Sequence, residues 1–314
     1  MSHYKTAESV SPKHPDKICD QISDAILDAH LLEDSDARVA IDVAGGHGTV
    51  FVTGEVTSKA KNVNIQAIVE RLAGKVEVIE RIVSQSPEIA QGVDSGGAGD
   101  QGIMVGYATN ETEEYLPLEY VLARRLNQYL YKQWPYDGKT QITLKDKKIV
   151  SVVASFQNTQ KDELLAKTKD WLRSEDLANY ETIEFHINPA GDWSIGGFDA
   201  DAGLTGRKIV IDNYGPRIPI GGGAFSGKDS SKVDRSGAYM ARRIAVDYLN
   251  SRRASEVYVY LAYAIGHSQP LEATVIIDGV RERITGYDLS PNGIIKLLDL
   301  KKPKYEILAR YGHY

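Results

Sequence analysis

The chain has 314 residues, 42% of them hydrophobic, enough to bury a substantial core and, by size, to form two or three domains. A formal net charge of −6 argues against non-specific nucleic-acid binding, although a local basic cluster can still receive a small anion. No run approaches the ~18 apolar residues of a membrane span, the N-terminus lacks a signal peptide's apolar core, and the lone Cys19 permits no internal disulfide. The expectation is a cytoplasmic protein with no membrane or nucleic-acid partner.

From residue 15 to 32, Ile18, Ile22, Ala25, Ile26 and Ala29 recur at helical spacing, with Pro15 suited to the first helical position. Cys19 falls on this helix and reads as core. Two alternating β-branched runs, 38–44 and 49–56, flank Gly45-Gly46-His47-Gly48 and predict a hairpin, after which a helix resumes over 64–72. The same order returns with a helix over 118–132, strands over 140–144 and 149–156 around a polar turn, and a helix over 164–172. It returns again with a helix over 234–249, strands over 257–264 and 271–277, and a helix over 294–300 behind Ser290-Pro291.

Helix, hairpin, helix thus occurs three times, which predicts three similar α/β units spanning 1–96, 97–195 and 196–314. Antiparallel hairpins with helices on one face make the fold α+β rather than a doubly wound parallel sheet. The glycine-rich, charged connectors 92–106 and 191–227 are where chemistry is expected.

The stretch GGGAFSGKDSSKVDRS, from Gly221 to Ser236, reads as a polyphosphate cradle. Glycines let backbone N–H groups approach an anion, Lys228 and Lys232 add compact positive charge, and Asp234 suits a divalent cation. It is not a P-loop, because Asp229 replaces the hydroxyl and two prolines interrupt the preceding strand position. Gly97 to Gly102 matches G-x-G-x-x-G, but no strand is predicted before it, so a nicotinamide site is disfavoured, and Asp100 reads equally as an exposed functional carboxylate on a tight turn or as an ordinary turn aspartate. His14-Pro15-Asp16-Lys17 opens the first helix, where a metal-bridged phosphate would suit, but by themselves His14 reads as a helix cap and Asp16 as a dipole partner. Arg207 and Lys208 precede Ile209-Val210-Ile211, read as a strand. No zinc spacing and no nucleophile elbow appear.

Taken together, His14-Pro-Asp-Lys17, GAGDQG from Gly97, DAGLTGRK from Asp201 and the segment from Gly221 closely resemble the S-adenosylmethionine synthetase, or methionine adenosyltransferase, family across nearly the whole chain. The resemblance implies three similar α/β domains around a pseudo-threefold axis. It also implies a homodimer, or a dimer of dimers, whose active sites are shared between subunits. The implied reaction joins L-methionine sulfur to C5′ of ATP and releases tripolyphosphate, which is hydrolysed to pyrophosphate and phosphate. By the same resemblance Asp16 and Asp234 bind two Mg2+, while Lys139, Arg207, Lys208 and Lys228 neutralise the triphosphate. His14 lies near the breaking C5′–O bond, and Asp100 and Asp201 near the ribose and the developing sulfonium. Asp137, Asp192, Ala224 and Trp193 match ATP positions, with Trp193 as the adenine platform. Glu55, Gln91, Asp201 and Lys232 match methionine positions.

Three departures stand out. Ser11-Pro12-Lys13 replaces the family's usual Ser-Glu-Gly, the loop after Gln91 is short, and Asp42 stands where a glutamate commonly binds K+. Weak potassium activation is therefore expected. The rival readings are another ATP-dependent phosphoryl-transfer enzyme, which would release ADP, and a non-catalytic regulatory homologue, which would be free to lose the lysines and aspartates retained here.

Overall fold

A computed structural model describes residues 4–85, 96–175 and 182–314. The first strand, β1 (Tyr4–Val10), precedes the first repeat. There α1 (Pro15–Glu33) leads into the hairpin β2 (Arg38–Gly46) and β3 (Thr49–Thr57), then α2 (Ile65–Ala73) and β4 (Glu77–Val83). Val39, Ile41, Val43, Val50 and Val52 alternate onto one sheet face and pack on Ile18, Ile22 and Ile26 of α1, with Cys19 in the same core.

After β5 (Gly102–Thr109), the second repeat is α3 (Leu118–Gln133), β6 (Gly138–Lys145), β7 (Lys148–Phe156), α4 (Lys161–Ser174) and β8 (Glu184–Ile187). Asp146 and Lys147, at φ 49° and 67°, make the tight two-residue turn between β6 and β7. The third segment contains β9 (Gly203–Leu204), α5 (Ile209–Asp212), α6 (Val233–Arg252), β10 (Glu256–Tyr263), β11 (Glu272–Ile277), β12 (Val280–Arg283), α7 (Pro291–Leu298) and α8 (Tyr305–Leu308).

Among the described residues three four-stranded sheets form, ordered β9-β2-β3-β4, β1-β6-β7-β8 and β5-β10-β11-β12. Each has a repeat's hairpin at its centre, and each takes its first strand from a different segment. The N-terminal strand β1 completes the central sheet, β5 completes the C-terminal sheet, and β9 returns to the N-terminal sheet. β4 and β8 pair parallel to their neighbours, and the other pairings are antiparallel, in keeping with an α+β fold.

One element differs from expectation. Ile209-Val210-Ile211 forms the single helical turn α5, not a strand. Its two ends are tied to the first turn of α1, through Lys208 to Asp16 and through Asp212 to Lys17, and three β-branched residues are too short a run to oppose that anchoring. Among the described residues no helix is long and apolar enough to cross a membrane.

Candidate active site

Two charged clusters form at the mouths of the long helices α1 and α6. At α1, His14 caps the helix, and its Nδ1 accepts the Asp16 backbone N–H at 3.2 Å. That bond leaves the proton of the neutral ring on Nε2. Burial, reinforced by Lys208 and Lys139 and opposed by Asp16 and Asp201, lowers the His14 pKa to about 4, so the ring is neutral near pH 7. Asp16 accepts the Leu204 N–H at 2.9 Å, is bonded by Lys208, and lies 3.7 Å from Arg207. Burial alone would raise the Asp16 carboxyl, but the Lys208 and Leu204 hydrogen bonds hold it below the usual carboxylate range.

The central unit adds to this cluster. Asp137 accepts the Gly197 N–H at 3.0 Å, and its carboxyl is raised chiefly by burial. Trp193 packs beside Gly196, where an added Cβ would lie 2.7 Å from the indole. Lys139 and Asp201 are exposed and close enough for the His14 ring to feel both charges. Asp192 is exposed and accepts from the Asn188 amide at 2.9 Å.

At α6, Lys228 Nζ is 2.7 Å from Asp234 Oδ2, and Lys232 is bonded to Asp229. Gly223 keeps space open beside the carboxylate, since a Cβ there would meet Asp234 Oδ2 at 2.1 Å. The turn bearing Asp100 leads into β5, and Gly102 at the start of β5 lies against Asp234. Because that turn feeds a strand and not a helix, it is no dinucleotide fingerprint. Ala224 sits against Gly206, which has φ +78° and no room for a side chain.

Lys228 bridges Ala40 on β2, so it shares a face with Asp42, opposite Thr53, and with Glu55, opposite Ala40. This face points away from α1, and it exposes Phe51, Val83 and Leu204. Gln91 and the loop 92–95 lie outside the described residues.

Sequence reasoning missed the framework beneath the clusters. Asp16, Asp20, Asp24 and Asp28 recur every fourth residue of α1, and each accepts a backbone N–H from another segment: Leu204, Gly206, Gly227, and Lys304 with Tyr305 and Glu306. Buried Lys17 bridges Asp20 at 3.0 Å and Asp212 at 2.6 Å, and burial, with two carboxylates sharing one ammonium, pushes Asp212 up to about 7. Buried Arg235 pairs with Asp24 at 2.8 Å. The fourfold spacing is plain in the sequence; the partners are hundreds of residues away in some cases and are not.

Lysine–aspartate pairs at two helix mouths, beside glycines that expose backbone, suit an anion such as a polyphosphate on a scaffold of three α/β units. Sequence models of the S-adenosylmethionine synthetase N-terminal, central and C-terminal domains match residues 2–89, 95–193 and 195–314. Proteins named S-adenosylmethionine synthase from Salinibacter ruber, Brachyspira hyodysenteriae and Mycoplasmopsis synoviae are each 40% identical over all of this chain and over 94%, 93% and 92% of their own lengths. The chain belongs to the S-adenosylmethionine synthetase family.

Proposed function

We propose the site by which this chain, a methionine adenosyltransferase, makes S-adenosylmethionine from ATP and L-methionine. The carrying observation is the pair of lysine–aspartate contacts, Lys208–Asp16 and Lys228–Asp234, each beside a helix N-terminus. In each pair the lysine suits phosphate oxygen and the carboxylate suits a divalent metal.

The fit to Mg2+ is good. Asp16 and Asp234 offer hard oxygen donors, and among the described residues no group of three His, Cys, Asp or Glu side chains could hold a metal by itself. Such a site suits an ion whose other ligands are substrate phosphates and water. Two Mg2+ per site are the proposal, one at each aspartate, and when bound they neutralise phosphate oxygens.

Methionine sulfur donates a lone pair to C5′, the C5′–O bond breaks, and its electron pair leaves with tripolyphosphate. The sulfur becomes a sulfonium and no proton has to move, which explains why no general base is evident. Lys139, Arg207, Lys208 and Lys228 stabilise the leaving charge, and neutral His14 presents Nε2–H as a donor toward the departing oxygen. Asp137, Asp192, Trp193, Ala224 and Asp201 are proposed to hold ATP, Glu55, Gln91, Asp201 and Lys232 to hold methionine, and Asp100 to face the developing sulfonium. Hydrolysis of tripolyphosphate to pyrophosphate and phosphate is the proposed second step.

The two clusters are separate within one chain. Asp16 and Asp24, which anchor them, are two turns apart on α1, roughly 12 Å along its axis. The open sheet face carrying Lys228, Asp42 and Glu55 supports a homodimer in which the α1 cluster of one chain completes the α6 cluster of its partner. We take the units to be 1–96, 97–195 and 196–314, each lending a strand to another. The phosphoryl-transfer rival is not favoured by the family match, and the regulatory reading is not favoured by the intact charge pairs.

Purified protein supplied with ATP, methionine and Mg2+ tests the reading: S-adenosylmethionine, pyrophosphate and phosphate should appear in equal amounts, and ADP would overturn it. Potassium should activate weakly, because Asp42 is one methylene shorter than glutamate. A KCl titration at constant ionic strength checks this, with Asp42→Glu expected to strengthen activation; strong saturable activation of the unmodified protein would contradict it.

A further inference from the structure

The structure assigns to Asp24, a buried residue that no substrate can reach, the role of positioning residue for the Lys228–Asp234 pair; the inference rests on the site proposed above. Asp24 is fully buried in the third turn of α1. Its Oδ1 accepts the Gly227 N–H at 2.8 Å, and both its oxygens accept from Arg235 Nη2 at 2.8 Å. Gly227 immediately precedes Lys228, and Arg235 immediately follows Asp234. One carboxylate therefore holds the residue before the cradle lysine and the residue after the cradle aspartate.

The surroundings leave neither anchor free to drift. Gly227 has φ +81°, and a Cβ there would meet the Ile41 carbonyl at 1.9 Å, so the backbone is seated directly on β2, to which its own carbonyl is bonded at 3.0 Å. The Arg235 guanidinium, also fully buried, lies 4.5 Å from the centre of the Tyr305 ring. Its Nε and Nη1 have no hydrogen-bond partner among the described residues, so Asp24 supplies its hydrogen bonding there. Between the anchors, Lys228 Nζ and Asp234 Oδ2 stand 2.7 Å apart. Without Asp24, Gly227 keeps its bond to β2, but the two ends of the cradle lose the carboxylate of α1 that ties them together.

Asp24 therefore acts on turnover through the geometry of two charged groups, and a misplacement of 1 Å in such a group costs about a hundredfold in rate. Two variants separate this from plain stability. Asp24→Asn keeps an acceptor for Gly227 but leaves the Arg235 charge unpaired. The double variant Asp24→Leu/Arg235→Met removes both charges from the core, an exchange that often leaves stability unchanged or improved, while abolishing the Gly227 anchor.

Three quantities are read: thermal midpoint, hydrogen exchange across 221–232 in the free protein, and affinity for inorganic tripolyphosphate with Mg2+ by calorimetry, alongside kcat and KM. The double variant should melt near the wild type, exchange faster in 221–232 alone, bind tripolyphosphate at least about fivefold more weakly and lose at least about tenfold in kcat. A double variant with unchanged exchange and kcat within about twofold of wild type overturns the role. Fast exchange of the Gly227 amide in the wild type overturns it too, whatever the variants do. Lys228→Ala, run in parallel, separates the two readings. Loss of activity there with full activity in the double variant contradicts only Asp24, whereas full activity in Lys228→Ala contradicts the site assignment.

Discussion

Lys228 shows how a residue acquires a role from its setting. It bridges β2 at Ala40, faces the open side of the sheet, and meets Asp234 at 2.7 Å. In the proposed mechanism its charge is most useful when the leaving oxygen gains negative charge, so Lys228→Ala should lower kcat about a hundredfold while changing the KM for ATP little. Steady-state kinetics decide it, and an unchanged kcat would remove Lys228 from the mechanism. Glu111 carries the clearest pH signature. Burial alone would raise its carboxyl, but the Arg217 fork, the Leu118 N–H and Lys5 hold it down at about 2. A depressed carboxylate contributes stability that is present above its unfolded value of 4.5 and is lost as pH falls through about 2. Glu111→Gln should therefore lower the melting temperature most near pH 7, and the gap should narrow as acid is added from pH 4.5 downward. A gap that is constant from pH 7 to 3 would contradict this.

At the scale of elements, α1 does two jobs. Its apolar side packs on the N-terminal sheet, and its four aspartates stitch three other segments to it, around Leu204 and Gly206, at Gly227 and at Lys304 to Glu306. The last of these, Asp28, accepts the N–H groups of Lys304, Tyr305 and Glu306 and so caps the short helix α8 from outside the chain neighbourhood. Asp28→Ala should cost about 1–3 kcal/mol of unfolding free energy with kcat nearly unchanged, because α8 carries no proposed site residue. Urea denaturation measures it, and a loss well below that range would mean the three amides find water instead.

The same helix marks what could be read from sequence and what could not. Ile18, Ile22 and Ile26 announced the helix, and the alternating valines of β2 and β3 announced the hairpin, because each signal is local in the chain. The charges of Asp20, Asp24 and Asp28 repeat just as regularly, yet their partners Gly206, Gly227 and Tyr305 are set by tertiary folding. β5 was hidden inside a glycine-rich connector, and Ile209–Asp212 was misread because its conformation is imposed by ion pairs to α1. The proposed site residues come chiefly from the family resemblance: spacing alone pointed to the Gly221–Ser236 stretch and the His14–Lys17 helix mouth, but not to their lying at the mouths of two different helices.

At the scale of the whole molecule, strand exchange runs in a cycle: β1 enters the central sheet, β5 the C-terminal sheet and β9 the N-terminal sheet. This closure links the units that carry the α1 and α6 mouths, and the proposed division of the site between two chains builds on it. The most direct test mixes Lys208→Ala protein with Lys228→Ala protein under conditions where subunits exchange. Each variant alone should be nearly inactive. In a mixed dimer one site carries both lesions and the other carries none, so a random mixture should regain about a quarter of wild-type activity. A mixture that stays as inactive as its parents, with subunit exchange demonstrated by mass spectrometry, would contradict the shared site and place both clusters' chemistry within a single chain.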